Sequence, residues 1–365
     1  MKKFTSKKLT AYVMAALMAG SAMLGTSFGA STAEAAVKVN PIAGISDDFI
    51  KGADVSMIPE LERLGGKFYD NGVEKDCLTI LQEKGINWVR VRIWNDPYSY
   101  GPNGNGGGVT DEKKALEVAK RAKALGMKVL VDFHYSDWWA DPGKQHIPAA
   151  WQYMKFDEMR HALACHTRGV LRLLKENSID VKWVQVGNET TNGFLWPVGR
   201  ASDNMENYAS FTQAGYEAVK EVYPDAKVIV HLDGGCDRKR YDFIFDGLRK
   251  YGAKWDIIGL SVYPYWDIEA KLETDWQGTV RDFTENIRYL SRKYSTECMV
   301  VETGVEAKKP KEGKTIMKAI INAARNNCDG HCHGVFYWAP ELEGHYPLGA
   351  FSNHRPTEIM DAFGE

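Results

Sequence analysis

From residue 52 onward, short apolar or β-branched runs alternate with longer stretches of helical periodicity, and the alternation repeats eight times. The runs are 52–56, 88–94, 128–134, 184–187, 227–232, 257–262, 299–301 and 334–338. They lack the in-out alternation of a sheet with one wet face, so they read as strands buried on both sides and covered by helices. Helical stretches fall between them at 76–84, 111–125, 156–177, 205–223, 240–251, 276–294 and 313–326, with a short eighth from Pro356. In the second of these, Thr110 is the expected cap, Gly126 the stop, and Ala115, Leu116, Val118, Ala119, Ala122 and Leu125 the apolar stripe at helical spacing. Eight parallel strands is the number that closes a TIM barrel, so the expected fold is α/β, a single (β/α)8 barrel.

The first 35 residues stand outside this pattern. Lys2, Lys3, Lys7 and Lys8 precede an apolar stretch over 9–24, and Ala33-Glu34-Ala35 supplies small residues at −3 and −1 of a cleavage site. Gly20, Ser21, Gly25 and Gly29 interrupt the run, which argues against a stable membrane anchor. The expected organisation is a signal peptide over 1–35 and one barrel domain over 36–365, secreted or periplasmic. Losing four lysines and one glutamate with the leader takes the formal net charge from −2 to −5, with no basic block to neutralise a phosphate backbone. Nucleic acid is therefore not an expected partner, and the expected state is a monomer. Six cysteines are too few to scaffold so long a chain. Cys328-Asp-Gly-His331-Cys332-His333 crowds its side chains into one loop rather than two separated pairs, which favours free thiols or a local disulfide over zinc. No metal and no cofactor is expected; Gly104-Asn-Gly-Gly-Gly108 lacks the Lys-Ser/Thr of a phosphate loop.

In such barrels chemistry occurs where strands end. In strand order the ends carry Asp54; Arg90 and Arg92; Asp132 and His134; Asn188 and Glu189; His231 and Asp233; Tyr263; Glu302; and Trp338. Any one of these has an ordinary structural explanation as an ion-pair partner or core residue. Their co-occurrence on one rim reads as a site. Glu189 and Glu302 end strands 4 and 7 and face each other across the mouth, which is the minimum equipment for cleaving a glycosidic bond. Asn188 can bond a sugar 2-OH. Arg90 and Tyr263 are available to hold Glu302 ionised, and that negative charge raises the pKa of its partner, leaving Glu189 protonated as the acid. Glu306, Glu341 and Glu343 are competing acids ranked below these two.

The motifs resemble the family-53 glycoside hydrolases, the endo-β-1,4-galactanases. The resemblance rests on Lys51-Gly-Ala-Asp54-Val-Ser56, Val89-Arg90-Val-Arg92-Ile-Trp94-Asn-Asp-Pro97 and Asp132-Phe-His134-Tyr-Ser-Asp137-Trp138-Trp-Ala-Asp141-Pro142. It continues through Gly187-Asn188-Glu189-Thr190, Trp196-Pro197, His231-Leu-Asp233, Tyr263-Pro-Tyr265, Val301-Glu302-Thr303 and Phe336-Tyr-Trp338, in order over roughly 50–340. It implies a retaining, endo-acting hydrolase of β-1,4-galactan in type I arabinogalactan, with Glu189 as acid/base and Glu302 as nucleophile. Asp54, Arg90, His134, Asp137, Asn188, His231, Asp233 and Tyr263 are then expected at the substrate, with Trp94, Trp138, Trp196, Tyr265 and Trp338 as stacking faces. Two departures stand out. The place of a calcium loop after strand 7 reads Gly304-Val-Glu-Ala-Lys-Lys-Pro-Lys-Glu-Gly313, and the segment after Trp338 reads Ala339-Pro340-Glu341. Another endo-glycanase such as a mannanase, or a glycan-binding protein on an inactive barrel, are the alternatives; the latter expects one glutamate replaced.

Overall fold

The computed structural model describes residues 49–99, 101, 110–344 and 346–364. The expected signal peptide and the glycine-rich loop 104–108 lie outside the described residues. Eight parallel strands close into one barrel: β1 Ile50–Asp54, β2 Trp88–Ile93, β3 Lys128–Phe133, β4 Val181–Val186, β5 Lys227–Leu232, β6 Ile257–Val262, β7 Glu297–Thr303 and β8 Cys332–Trp338. Asp54 pairs in register with Trp338 on one side and with Arg90 on the other, which completes the ring. The outer layer is α1 Cys77–Glu83, α2 Glu112–Ala124, α3 Phe156–Glu176, α4 Ala201–Val222, α5 Arg238–Lys250, α6 Trp276–Tyr294, α7 Pro310–Asn326 and a four-residue α8 Glu358–Asp361.

Differences from the sequence expectation have local causes. The cap of α2 is Asp111, whose carboxylate accepts from the Lys113 and Lys114 amides at 3.1 and 2.9 Å, not Thr110. Pro310 opens α7 because a proline at the first helical position forfeits no hydrogen bond. Strand β7 begins at Glu297, before its apolar stretch, where Ile257 of β6 already pairs with it. A hairpin, Phe68–Asp70 with Val73–Lys75, turns on Asn71 and Gly72 at φ 49° and 79°; that Asn-Gly pair is a strong short-range signal. Short helices at Ile58–Arg63 and Pro264–Glu269 were also unmarked by periodicity.

The core is in two parts. Between sheet and helices runs a continuous apolar layer, while Ile50, Trp88, Leu130, Trp183, Ile229, Ile257, Met299, Val301 and Phe336 plug the barrel itself. Within that plug Trp88 and Trp183 meet edge-to-face at 6.2 Å. Gly52 is required there: a Cβ on it would lie 2.1 Å from the Phe336 ring. With the lower barrel filled, polar side chains are confined to the upper rim. All six cysteines are free thiols. Among the described residues no helix is long and apolar enough to cross a membrane.

Candidate active site

Arg90 organises the rim. Wholly buried midway along β2, its guanidinium lies 2.8 Å from Asp54 Oδ2, 2.9 Å from Asp132 Oδ2 and 2.8 Å from Glu302 Oε1. It also donates to Gln185 Oε1 and Asn188 Oδ1, each at 2.8 Å. A buried guanidinium needs such partners, since one left unpaired would cost several kcal/mol. Burial disfavours its charge, yet Asp132, Glu302 and Asp54 together drive its pKa above the ordinary value. Asp132 in turn, despite burial, is held down to about 2 by Arg90 and His134. His134 is pushed down by burial; its Nε2 faces Asp132 at 3.2 Å and its Nδ1 accepts from the Ala140 amide and the Trp94 indole.

Glu302, at the end of β7, is 5% exposed. Beside the Arg90 contact, its Oε2 accepts from Tyr263 Oη at 3.1 Å. The sequence expectation of a carboxylate held below its usual range does not survive the burial. Desolvation, with Asp132 and Asp54 nearby, outweighs Arg90 and Tyr263, and the pKa rises to about 7. One guanidinium is shared among three carboxylates, so Glu302 receives only part of its effect.

Glu189 lies beyond β4 on a turn through Gly187 at φ 91°, and is itself at φ 45°. A side chain on Gly187 would collide with Thr190 Cγ2 at 2.5 Å, so only glycine lets the chain swing out here. Gln145 Nε2 braces the turn by donating to the Asn188 carbonyl at 2.8 Å. Ser261 Oγ donates to Glu189 Oε1 at 2.7 Å. Burial first, then the charges of Glu302 and Asp233, raise the Glu189 pKa well above the usual carboxylate range. A carboxylate oxygen of Glu189, one of Glu302 and a ring nitrogen of His231 all lie within 4.8 Å of one another. These atoms are close enough for a cation, but His231 faces backbone and amide donors and Glu302 is held by Arg90, so the donor set is already committed.

The expected stacking residues divide. Trp94 is wholly buried and offers no face to a sugar; it floors Trp138 and Trp139, with ring centroids at 5.6 and 5.2 Å. Above it a half-exposed wall runs from Trp139 to Trp338 at 5.8 Å and on to Tyr346 at 4.9 Å. Arg92 stacks under Trp139 at 4.0 Å. Trp196, in the loop after β4, and Tyr265, in the short helix Pro264–Glu269 after β6, are both partly exposed and pack against Arg200 and Trp266. Asp137 is buried and accepts from the Asp96 and Ala149 amides at 2.9 and 2.8 Å, which makes it a brace of the rim loops rather than a free sugar ligand. Asp233 is paired with Arg240 at 2.6 Å. Among the competing acids, Glu306 pairs with Lys309, Glu343 accepts from the His354 amide, and Glu341 is buried and pushed up to about 8 by desolvation.

Sequence reasoning passed over Gln185, Ser261, Trp139, Gln145 and Tyr346. Gln185 and Ser261 carried a legible signal, a polar residue inside an otherwise apolar barrel strand. Tyr346 had none, because its place beside Trp338 depends on how the last loop folds back.

Comparison with known proteins agrees with this geometry. The profile described as Glycosyl hydrolase family 53 matches residues 50–347. The chain is similar to an endo-beta-1,4-galactanase of Bacillus subtilis (strain 168), 36% identical over 329 residues, 83% of this chain and 72% of that one. Among solved structures it is similar to a family-53 catalytic domain from Ignisphaera aggregans, with TM-score 0.79 and 34% identity, covering 89% of this chain and 98% of the other. It is likewise similar to a fungal β-1,4-galactanase, with TM-score 0.75 and 25% identity over 86% and 98% of the two chains.

Proposed function

The chain belongs to glycosyl hydrolase family 53, and from that premise we propose an endo-acting hydrolase of β-1,4-galactan that retains anomeric configuration. The observation that carries the mechanism is the approach of Glu189 and Glu302 to within 4.8 Å. That spacing suits retaining enzymes, with carboxyls about 5–5.5 Å apart, and is too short for inverting ones, which hold a water between. Glu302, with its lower pKa and its bonds to Arg90 and Tyr263, attacks the anomeric carbon. Glu189, with the higher pKa, gives its proton to the departing glycosidic oxygen and then takes one from the water that releases the sugar. Asn188 is held by Arg90 beside the acid, where a 2-OH would lie. The Trp139–Trp338–Tyr346 wall supports stacking on a sugar ring.

The substrate class draws on the galactanases that the chain resembles. The leader read from residues 1–35 supports export, to the medium or the periplasm, and the substrate is a polysaccharide met there. Digestion of linear galactan, mannan and carboxymethylcellulose side by side tests the reading, with products resolved by chromatography and their anomeric form by NMR. Internal cleavage of galactan with retention is expected; turnover of mannan without galactan would overturn the substrate, and an inverted product the mechanism.

A further inference from the structure

Resting on that reading, we infer that Ser261 selects which oxygen of Glu189 carries the catalytic proton, and that His231 sets the direction of Ser261. Ser261 is buried on β6, and its Oγ lies 2.7 Å from Glu189 Oε1 and 2.8 Å from His231 Nε2. It has one proton to give. Which neighbour receives it depends on the imidazole tautomer, and the surroundings fix that tautomer.

His231 Nδ1 lies 3.0 Å from Gln185 Nε2 and 3.3 Å from the Glu189 amide nitrogen, both donors. Gln185 is not free to flip: its Oε1 accepts from Arg90 Nε at 2.8 Å, which aims its amide nitrogen at His231 and Asp132. Asn188 Oδ1, 3.1 Å from the same ring nitrogen, is held there by Arg90 Nη2, while Asn188 Nδ2 donates to the Ala140 carbonyl. Two donors, the Gln185 amide and the Glu189 backbone N–H, outweigh the one acceptor, Asn188 Oδ1, which Arg90 already satisfies; Nδ1 is thus a lone-pair acceptor, and the ring proton resides on Nε2. Burial, with Arg90 adding to it, pushes the His231 pKa well down and keeps the ring neutral.

It follows that His231 donates to Ser261 and Ser261 donates to Glu189 Oε1. The carbonyl oxygen of a carboxylic acid is its stronger acceptor, so the Ser261 bond holds Oε1 as the carbonyl and the acidic proton sits on Oε2. In the first step that proton passes to the glycosidic oxygen as the C1–O bond breaks and Glu302 forms its own bond to C1. In the second, Oε2 takes a proton from water as the water oxygen bonds C1 and the Glu302–C1 bond breaks. Arginine, glutamine, histidine and serine on β2, β4, β5 and β6 thus act on one carboxyl torsion, which makes Ser261 a positioning residue. Groups that face Glu189 from the other elements are Glu302 on β7, Asp233 after β5 and Asp141 in the loop after β3, all of which raise its pKa. Ser261 acts the other way.

The test compares kcat/KM on linear galactan with kcat/KM on 2,4-dinitrophenyl β-galactobioside, whose leaving group departs without a proton. For Ser261→Ala the galactan value is expected to fall about 10-fold, a part of what a positioned acid supplies, with the dinitrophenyl value within about 2-fold of wild type. The basic limb of the galactan pH profile should move to higher pH, because a donor to the carboxylate has been lost. Ser261→Thr, which keeps the hydroxyl, should recover most of the galactan rate, and Ser261→Cys offers the same contrast should the alanine variant fold poorly. Equal losses on both substrates, no loss, an unmoved basic limb or a threonine variant as poor as alanine would each overturn the inference. A wild-type enzyme inactive on galactan would instead sink the functional reading itself.

Discussion

Arg90 Nη2 lies 2.8 Å from Glu302 Oε1, and the same guanidinium also binds Asp54 and Asp132. The nucleophile candidate therefore owns a share of one positive charge rather than the whole of it. Three negative groups around one cation in a dry site leave Glu302 with a pKa of about 7, while burial and the Glu302 charge raise that of Glu189 well above the usual carboxylate range.

Replacing Arg90 by lysine keeps the charge but removes the planar fork that reaches five partners. Loss of the Gln185 and Asn188 bonds leaves polar groups buried without partners, at about 1–3 kcal/mol each. Calorimetry should show a lower Tm, and galactan turnover should fall by at least about 100-fold through misplacement of Glu302. A variant with wild-type turnover would remove Arg90 from the mechanism.

The pH dependence follows from the two carboxyls. Glu302 must be ionised, so kcat/KM rises as pH increases through about 7; Glu189 must be protonated, so the rate falls again at higher pH. The acid limb should centre near pH 7, and Tyr263→Phe, which removes a donor to the Glu302 carboxylate, should shift it upward. An acid limb near pH 4 would contradict the burial argument.

Glu189→Gln should abolish galactan hydrolysis yet stabilise the fold. The folded-state pKa of Glu189 is raised. Wild type therefore loses stability as pH rises from the unfolded-state value of about 4.3 through the folded-state one. The variant has no such loss, so its Tm advantage should grow as pH rises above the unfolded-state value of about 4.3. A constant or negative difference would show that the site stores no such repulsion.

Gly52→Ala tests the barrel plug rather than the site. The new methyl would meet Phe336 at 2.1 Å, and overpacking of this kind costs about 1–3 kcal/mol. Denaturant unfolding should show that loss, and combining the change with Phe336→Leu should restore part of it. Additive losses would mean that the two side chains do not compete for the same space.

Trp338→Ala should raise KM on galactan several-fold more than it lowers kcat, because the ring offers area to bound and activated sugar alike. Trp338→Phe should recover much of the affinity. A loss confined to kcat would argue that the ring serves the chemistry instead.

The barrel was legible because eight apolar runs, each followed by a helical stripe, admit few other closures. Where local chemistry was misread the reason was equally local. Asp111 competed better than Thr110 for the amides of α2, and α7 opens at Pro310, ahead of the 313–326 stretch read from the sequence. The hairpin on Asn71-Gly72 had a signal, but its strands are too short to show alternation.

The sequence by itself determined that Glu189 and Glu302 end strands on the same rim, with Arg90, Tyr263 and Asn188 beside them, because strand order and strand direction follow from chain order. Only the tertiary structure decided how those groups divide. Register closed the ring so that Arg90 meets Asp54, Asp132 and Glu302 together, and burial then lifted Glu302 to about 7. Packing put Trp94 beneath Trp138 and Trp139, and brought Tyr346 into a site that its neighbours in sequence did not announce. Burial and hydrogen-bond direction are properties of contacts made across the fold, over separations at which a pattern of residue types carries no distance.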